Sequence, residues 1–231
     1  MHKKIGIIGG LSPESTVSYY LHITRTYVER YGDYGYPEII IYSVNLENYH
    51  RWRGENRWDR VAGDLIASAK SLEKAGADFG LIATNTMHKV FDAVSAAVDL
   101  PLLHIIDATA AKAREMGLKN LGLLGTRFTM SDGFYHEKMA PYGINTIVPC
   151  PEDQDIIHDI IVEELVQGRL LEDSRAEYIR VIRELIRLGA EGVILGCTEI
   201  PLLVKPEDSS VPLLDTAIIH AGTALNHALR Q

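Results

Sequence analysis

Two thiols stand in a chain of 231 residues, Cys150 and Cys197. An unperturbed cysteine titrates near pH 8.5, so a thiolate is a usable base close to neutrality. Cys197 lies in Gly196-Cys197-Thr198-Glu199, directly after the apolar run Val193-Ile194-Leu195. Thr84 lies in Ala83-Thr84-Asn85-Thr86, directly after the run Phe79 to Ile82. Two proton-active side chains on opposite faces of a small substrate suit inversion at carbon. One takes a proton from one face and the other supplies a proton to the opposite face. Asn85, Thr86 and Thr198 add amide and hydroxyl groups at the same places, and Glu199 adds a carboxylate. Cys150 is flanked by Pro149 and Pro151 and reads as structural.

The elements that must position these residues alternate. Ile5 to Gly10 is a short apolar run closed by glycines, which reads as a strand buried on both faces. Ser12 and Pro13 supply an N-cap and a first helical residue for a helix to about Glu29. Strands follow at Glu38 to Val44, Phe79 to Ala83 and from Pro101, with a helix from Trp58 to Ala75 striped by Val61, Ala62, Leu65, Ile66, Ala69 and Leu72. The second half repeats the pattern with strands at Leu121 to Leu124, Ile144 to Pro149, Val193 to Gly196 and Pro212 to Asp215. Its helices are expected at Ile156 to Val166 and Ser174 to Leu188. Such alternation implies parallel sheets covered by helices.

The repetition is an internal duplication. Ile5 to Gly10 aligns with Leu121 to Thr126 at an offset of 116, Gly76-Ala77-Asp78 with Gly189-Ala190-Glu191 at 113, and Pro101-Leu102-Leu103 with Pro212-Leu213-Leu214 at 111. The middle offset superposes Thr84 on Cys197. Ligands of open parallel sheets bind beyond the carboxyl ends of the strands. Helix N-termini there, with free N–H groups, would hold a carboxylate. The expected fold is therefore α/β, two similar doubly wound half-domains related by a pseudo-two-fold axis, with the active site in the cleft between them. The halves are expected at 1–100 plus 211–231, and at 101–210.

Composition excludes several classes. A net charge of −8 opposes a nucleic-acid-binding role. No run of about 18 apolar residues suggests a membrane span. Two cysteines cannot build a disulfide framework or a four-cysteine zinc module. The nine histidines show no H-E-x-x-H or H-x-H spacing, so no metal site is expected. Gly6, Gly9 and Gly10 do not make G-x-G-x-x-G, so no dinucleotide site is expected. The apolar run after Lys4 is too short for a signal peptide, and a cytoplasmic protein with reduced thiols is expected.

The motifs Ala-Thr-Asn-Thr-Met-His (83–88) and Gly-Cys-Thr-Glu-Ile (196–200) resemble the paired signatures of the aspartate/glutamate racemase superfamily. Ile-Gly-Ile-Ile-Gly-Gly-Leu-Ser (5–12) and Leu-Gly-Thr-Arg-Phe-Thr-Met (124–130) match as well, so the resemblance spans nearly the whole chain. Glu199, where glutamate racemases of cell-wall synthesis carry His, places it nearest the aspartate racemase branch and its bacterial L-specific members. The resemblance implies a two-base racemase acting on L-aspartate and L-glutamate, without pyridoxal phosphate or metal, and a homodimer. It implies substrate contacts from Leu11 and from Arg53, whose guanidinium would hold a carboxylate, with Thr126, Arg127 and Thr129 as weaker candidates. The family usually has Cys in both motifs; here the first carries Thr84. A hydroxyl is a far weaker acid than a thiol, so Thr84 is a poor base at neutral pH. The resemblance assigns the second-half residue to the L face, which implies that Cys197 deprotonates the L-amino acid and Thr84 donates or relays the proton on the other face. Gln167 stands where some aspartate racemases carry a Lys, which leaves the choice between aspartate and glutamate open.

Two other activities remain compatible: a one-cysteine decarboxylase or isomerase of small dicarboxylic acids on the same fold, and a weakly active amino-acid-binding protein. His88, four residues after Thr84, either faces the site or orients a neighbour. Trp52 and Trp58, with Arg51, Arg53, Arg57 and Arg60, read as a loop that could serve as a lid, an oligomer contact or a solvated segment.

Overall fold

A computed structural model describes residues 2–230. The chain divides into two compact units, 1–105 with 217–231, and 106–216. These borders fall a few residues beyond 100/101 and 210/211. They coincide with the starts of two helices that continue directly from short strands.

The first unit is built from β1 (Ile5–Gly9), α1 (Pro13–Tyr31), β2 (Ile39–Ser43), α2 (Leu46–Gly54), α3 (Trp58–Lys74), β3 (Phe79–Ile82), α4 (Phe91–Ser95) and β4 (Leu102–Leu103). All strands are parallel, in the order β2-β1-β3-β4. Parallel neighbours cannot be joined by hairpins, so each connection crosses a sheet face and covers it. Alternate residues of the strands divide between two cores. Ile5, Ile7, Phe79 and Leu81 pack with Tyr19, Ile23 and Tyr27 of α1, and Ile8 and Ile82 pack with Val61, Leu65, Ala69 and Leu72 of α3. The helix α1 begins where Ser12 accepts the Ser15 N–H and Pro13 sets the first turn, and ends where Gly32 adopts φ +72°.

The second unit holds α5 (Ile105–Glu115), β5 (Asn120–Leu124), α6 (Arg127–Ser131), α7 (Phe134–Met139), β6 (Asn145–Ile147), α8 (Pro151–Glu163), α9 (Glu172–Arg187), β7 (Gly192–Leu195), α10 (Ile200–Leu203) and β8 (Leu213–Asp215). The last helix, α11 (Thr216–Leu229), returns to the first unit, where Ala217, Ala221, Ala224 and Leu225 join Ile5 and Ile7. The second sheet is also parallel, in the equivalent order β6-β5-β7-β8. Its core gathers Ile157, Ile161, Tyr178, Val181, Ile182 and Leu185 under Leu124, Val193 and Leu195.

The duplication extends to the register. Ile7 pairs with Leu81 and Leu123 pairs with Ile194, the same pair at offsets of 116 and 113. Gly80 opposite Leu102 likewise becomes Val193 opposite Leu213. A crossing leucine sits over a glycine in both. A Cβ on Gly6 would lie 3.1 Å from the Leu72 side chain, and one on Gly122 would lie 2.9 Å from that of Leu185.

Three expectations change. Residues 46–54 are the helix α2 and not loop, because Asn45 caps it by accepting the Glu47 N–H. The Arg-rich segment therefore contains only a short turn, and Trp52 and Trp58 pack partly buried against the first unit's core. The helix expected from Ile156 starts at Pro151, which occupies its first turn, and Cys150 is the residue before it. Cys150 is exposed there. After β3 and β7 stand only a 3-10 turn, Thr86–Val90, and the four-residue α10, where longer helix N-termini are the expectation.

Buried histidines tie the first unit together beneath Thr84. His88 donates from Nδ1 to the Thr84 carbonyl (2.7 Å) and accepts the Ile105 N–H at Nε2 (3.2 Å). His220 of α11 bonds the Leu103 carbonyl from Nε2 (3.1 Å) and faces the Tyr19 hydroxyl with Nδ1 (2.9 Å). The partners set the tautomers: a carbonyl can only accept, so the opposite nitrogen of each ring is the acceptor. Burial pushes His220 down to about 4, and burial with the neighbouring His104 and His220 holds His88 well below its usual value.

Two outcomes follow for stability. The unfolded chain takes up these protons near pH 6.5, and the folded chain resists them. Stability is therefore complete above pH 6.5 and is lost as pH falls toward 4. Urea midpoints measured between pH 7 and 4.5 should fall, and should fall less in His220→Gln. Gly10 has φ +78°, and a Cβ there would lie 2.5 Å from the Val44 carbonyl oxygen and 2.5 Å from Ser43 Oγ. Gly10→Ala should cost about 2 kcal/mol or more of unfolding free energy, read by urea denaturation at pH 7.5.

Candidate active site

In each unit the site begins where the middle strands end. The chain leaves β3 by a tight turn, with the Thr84 N–H on the Ile82 carbonyl (2.9 Å). The next two carbonyls are taken by side chains. Ser15 Oγ donates to Ala83 O (3.0 Å), and His88 to Thr84 O. Thr84 is thereby held half-buried two residues past the strand, with Asn85 and Thr86 buried behind it. Gly10 N–H donates to Thr16 Oγ1 (2.9 Å), which secures the turn between β1 and α1.

The second unit repeats this arrangement with different residues. Gly196 N–H donates to Leu124 O (2.6 Å), and Thr216 Oγ1 donates to Leu195 O (3.0 Å). A Cβ on Gly196 would lie 2.8 Å from the Leu124 oxygen, so the chain can turn this tightly only with glycine. Cys197 follows, half-buried and two residues past its strand, as Thr84 is. Thr129, 1% exposed, packs against Gly125 and Gly196 and follows the α6 N-cap Thr126.

Cys197 has a defined polar environment. Its Sγ–H donates to Glu199 Oε2 (2.9 Å), and the Thr198 hydroxyl donates to the same oxygen (2.9 Å). Glu199 is 5% exposed. Burial, then the Glu199 charge and this hydrogen bond, push the thiol well above its ordinary value. The backbone N–H groups of Glu199 and Thr198 oppose that shift by pointing at the sulfur. They form a cradle for a thiolate once one is made. Tyr178 of α9 lies close by. Burial, with Cys197, Glu199 and Glu164, holds its hydroxyl well above the usual tyrosine range.

Other expected residues fall in different settings. Leu11, 7% exposed, is buried with Ile8, Tyr49 and Ile82, so it can offer a ligand its backbone but little side chain. Arg53 is half-buried in the last turn of α2. Arg127 is half-exposed and pairs with Asp155 (2.6 Å). His88 supports Thr84 through its carbonyl and stacks on Phe91. Among the described residues no three His, Cys, Asp or Glu side chains gather as a metal-binding group. Sequence reasoning missed Ser15, Thr216 and Tyr178. The first two are hydroxyls at helix starts, and their positions after a strand-turn are the signal that could have exposed them.

The Asp/Glu/hydantoin racemase family model matches residues 8–224. A broad-specificity amino-acid racemase of Bacillus subtilis is 25% identical over 225 residues, 96% of each chain. A crystal structure of an aspartate racemase homologue from Pyrococcus horikoshii superposes with a TM-score of 0.88 at 40% identity, covering 99% of this chain and 100% of that one. An aspartate racemase of Picrophilus torridus superposes with 0.79 at 28% identity, covering 99% and 95%. With residues 8–224 matched and its two strand-end motifs in equivalent registers, the chain belongs to the Asp/Glu/hydantoin racemase family and is an amino-acid racemase.

Proposed function

We propose that the enzyme racemises L-aspartate and L-glutamate by a two-base route without a cofactor, with Cys197 as the base on the L face and Thr84 on the other. The observation that carries this reading is the equivalent placement of the two residues. Each stands two positions beyond the carboxyl end of the strand next to the first strand of its sheet. The acidic substrate is suggested by the aspartate racemases among the similar structures. Arg53, whose fork of donors matches a carboxylate, suits it as well.

The reaction requires Cys197 and Thr84 to flank the α-carbon. The thiolate removes the α-proton, and the electron pair of the C–H bond passes into the substrate carboxylate. The backbone N–H groups around the strand ends, with Asn85, Thr86, Thr129 and Thr198, supply donors for that charge. Thr84 delivers a proton to the opposite face and regains one from solvent. Leu11 contributes through the β1–α1 turn. Glu199 acts on the thiol directly.

The two faces are unequal because a threonine alkoxide is too basic to form readily at neutral pH. Equilibrium between enantiomers is unity, so kcat/KM must be the same in both directions. The inequality must therefore appear in kcat and KM taken separately. We also place the enzyme in the cytoplasm, where its two unpaired thiols stay reduced, as a homodimer. Exposed Val17, Tyr20 and Tyr34 on and beyond α1 are the apolar surface that favours self-association.

Incubation of each enantiomer in D2O, with α-deuteration read by NMR and enantiomer content by chiral chromatography, tests the assignment. Cys197→Ala should lose about 100-fold or more in kcat/KM. Thr84→Cys should raise kcat from the D-enantiomer. Full activity in Cys197→Ala removes Cys197 as the base, and an unchanged D-side kcat in Thr84→Cys removes Thr84. Light scattering on the purified chain should give twice the monomer mass.

A further inference from the structure

A threonine has one rotatable bond between its backbone and its hydroxyl oxygen, so the backbone of Thr84 decides where that oxygen stands. Both ends of that backbone are held. The Thr84 N–H donates to the Ile82 carbonyl (2.9 Å), and the Thr84 carbonyl accepts from His88 Nδ1 (2.7 Å). The imidazole is itself anchored. Its Nε2 accepts the Ile105 N–H (3.2 Å), its face stacks on Phe91 with centroids 5.3 Å apart, and the residue is 4% exposed. A ring that donates from Nδ1 and accepts at Nε2 is neutral, and burial beside His104 and His220 keeps it so. Each nitrogen thus has a backbone partner. The ring acts on Thr84 through its carbonyl and does not carry protons to its hydroxyl.

The second unit satisfies the equivalent carbonyl differently. The offset of 113 that superposes Thr84 on Cys197 puts His88 on Pro201, the second residue of α10. Proline brings no side-chain donor, and the Cys197 carbonyl accepts the Ile200 N–H instead (3.2 Å). The imidazole therefore stands only behind the residue whose acid–base chemistry is the weaker. A hydroxyl cannot make up in reactivity for a poor approach, and a misplacement of about 1 Å costs roughly 100-fold in rate. We propose that His88 is a positioning residue for one half of the reaction: by holding the Thr84 carbonyl it sets the Thr84 hydroxyl for proton transfer, and it leaves the Cys197 step alone. This rests on the reading of Thr84 as the group on the second face of the substrate. The two halves then depend on different supports, an imidazole from the side for Thr84 and the backbone of its own short helix for Cys197.

Two readouts separate the halves. Inversion of L-aspartate, followed by chiral chromatography, needs both residues. Elimination from 3-chloro-L-aspartate, followed by chloride release, needs only Cys197. There the thiolate takes the α-proton, the C–H electron pair forms the carbon–carbon double bond, and chloride leaves with the C–Cl pair. The enamine then hydrolyses in water to ammonia and the oxo acid. In His88→Gln the side-chain amide reaches the place of Nε2 and misses the Thr84 carbonyl. Its kcat for inversion should fall about 10-fold or more, with elimination unchanged. His88→Asn puts an amide N–H where Nδ1 stands and should restore part of the inversion. Unchanged elimination in the same preparation also shows that each variant is folded. Unchanged inversion in His88→Gln, a parallel loss of inversion and elimination, or an Asn variant no better than the Gln variant each overturns the proposal. Thr84→Ala, run beside them, tests the reading beneath it. Inversion retained in Thr84→Ala removes Thr84 from the second face and the proposal with it. Inversion lost in Thr84→Ala but kept in His88→Gln removes His88 alone.

Discussion

A carbonyl that leaves a buried parallel ladder must find another donor, and this requirement organises both strand ends. Ladder partners run out after Ile82 and Leu195. Ser15, His88 and Thr216 then supply the donors, together with the Gly196 N–H. A buried carbonyl left without a partner costs roughly 1–3 kcal/mol, so each of these contacts is strongly selected by the fold itself. Their combined effect is positional. Thr84 and Cys197 emerge at the same distance past their strands, although the carbonyls taken there are those of Ala83 and Thr84 in the first unit and of Leu124 and Leu195 in the second.

The donors differ between the units even though the positions match. The first unit uses an imidazole whose tautomer is fixed by two backbone groups, and so draws His88, His104 and His220 into one buried cluster. The second uses a threonine and a glycine turn, and keeps its polar capacity for the thiol. Glu199, Thr198 and two backbone N–H groups converge on or beside Sγ, where Thr84 has a hydroxyl and a supported backbone. The chemical inequality between the two residues is matched by inequality in their surroundings.

Much of this was legible beforehand because it depends on local pattern. Glycine-closed apolar runs marked β1, β5 and β7, and slowly drifting offsets exposed the duplication that the register of Ile7 with Leu81 and Leu123 with Ile194 repeats. What could not be read depends on contacts distant in sequence or on rotamers. The tautomer of His88 is set by Ile105, 17 residues away, and the neutral His220 by Tyr19 and Leu103. The bond from Sγ to Oε2 needs a particular turn of the Glu199 side chain, which its place two residues on does not dictate. The segment 51–60 looked like loop because the helix that ends in it, α2, is short and polar, with only Tyr49 buried, so it carries almost no apolar period.

The interrupted order of the first unit has a consequence for synthesis. Residues 106–216 form a continuous stretch and can complete their core as soon as they leave the ribosome. The first unit cannot, since Ala217, Ala221, Ala224, Leu225 and Ala228 cover Ile5, Ile7, Phe79 and Leu81, and they are made after the whole middle unit. Throughout elongation the earlier-made sheet carries an open apolar face, and the final helix closes it. The nascent chain is therefore most exposed to aggregation and to chaperone capture until residues 216–229 have emerged, and a chain cut short before them would leave a finished middle unit attached to an uncovered one.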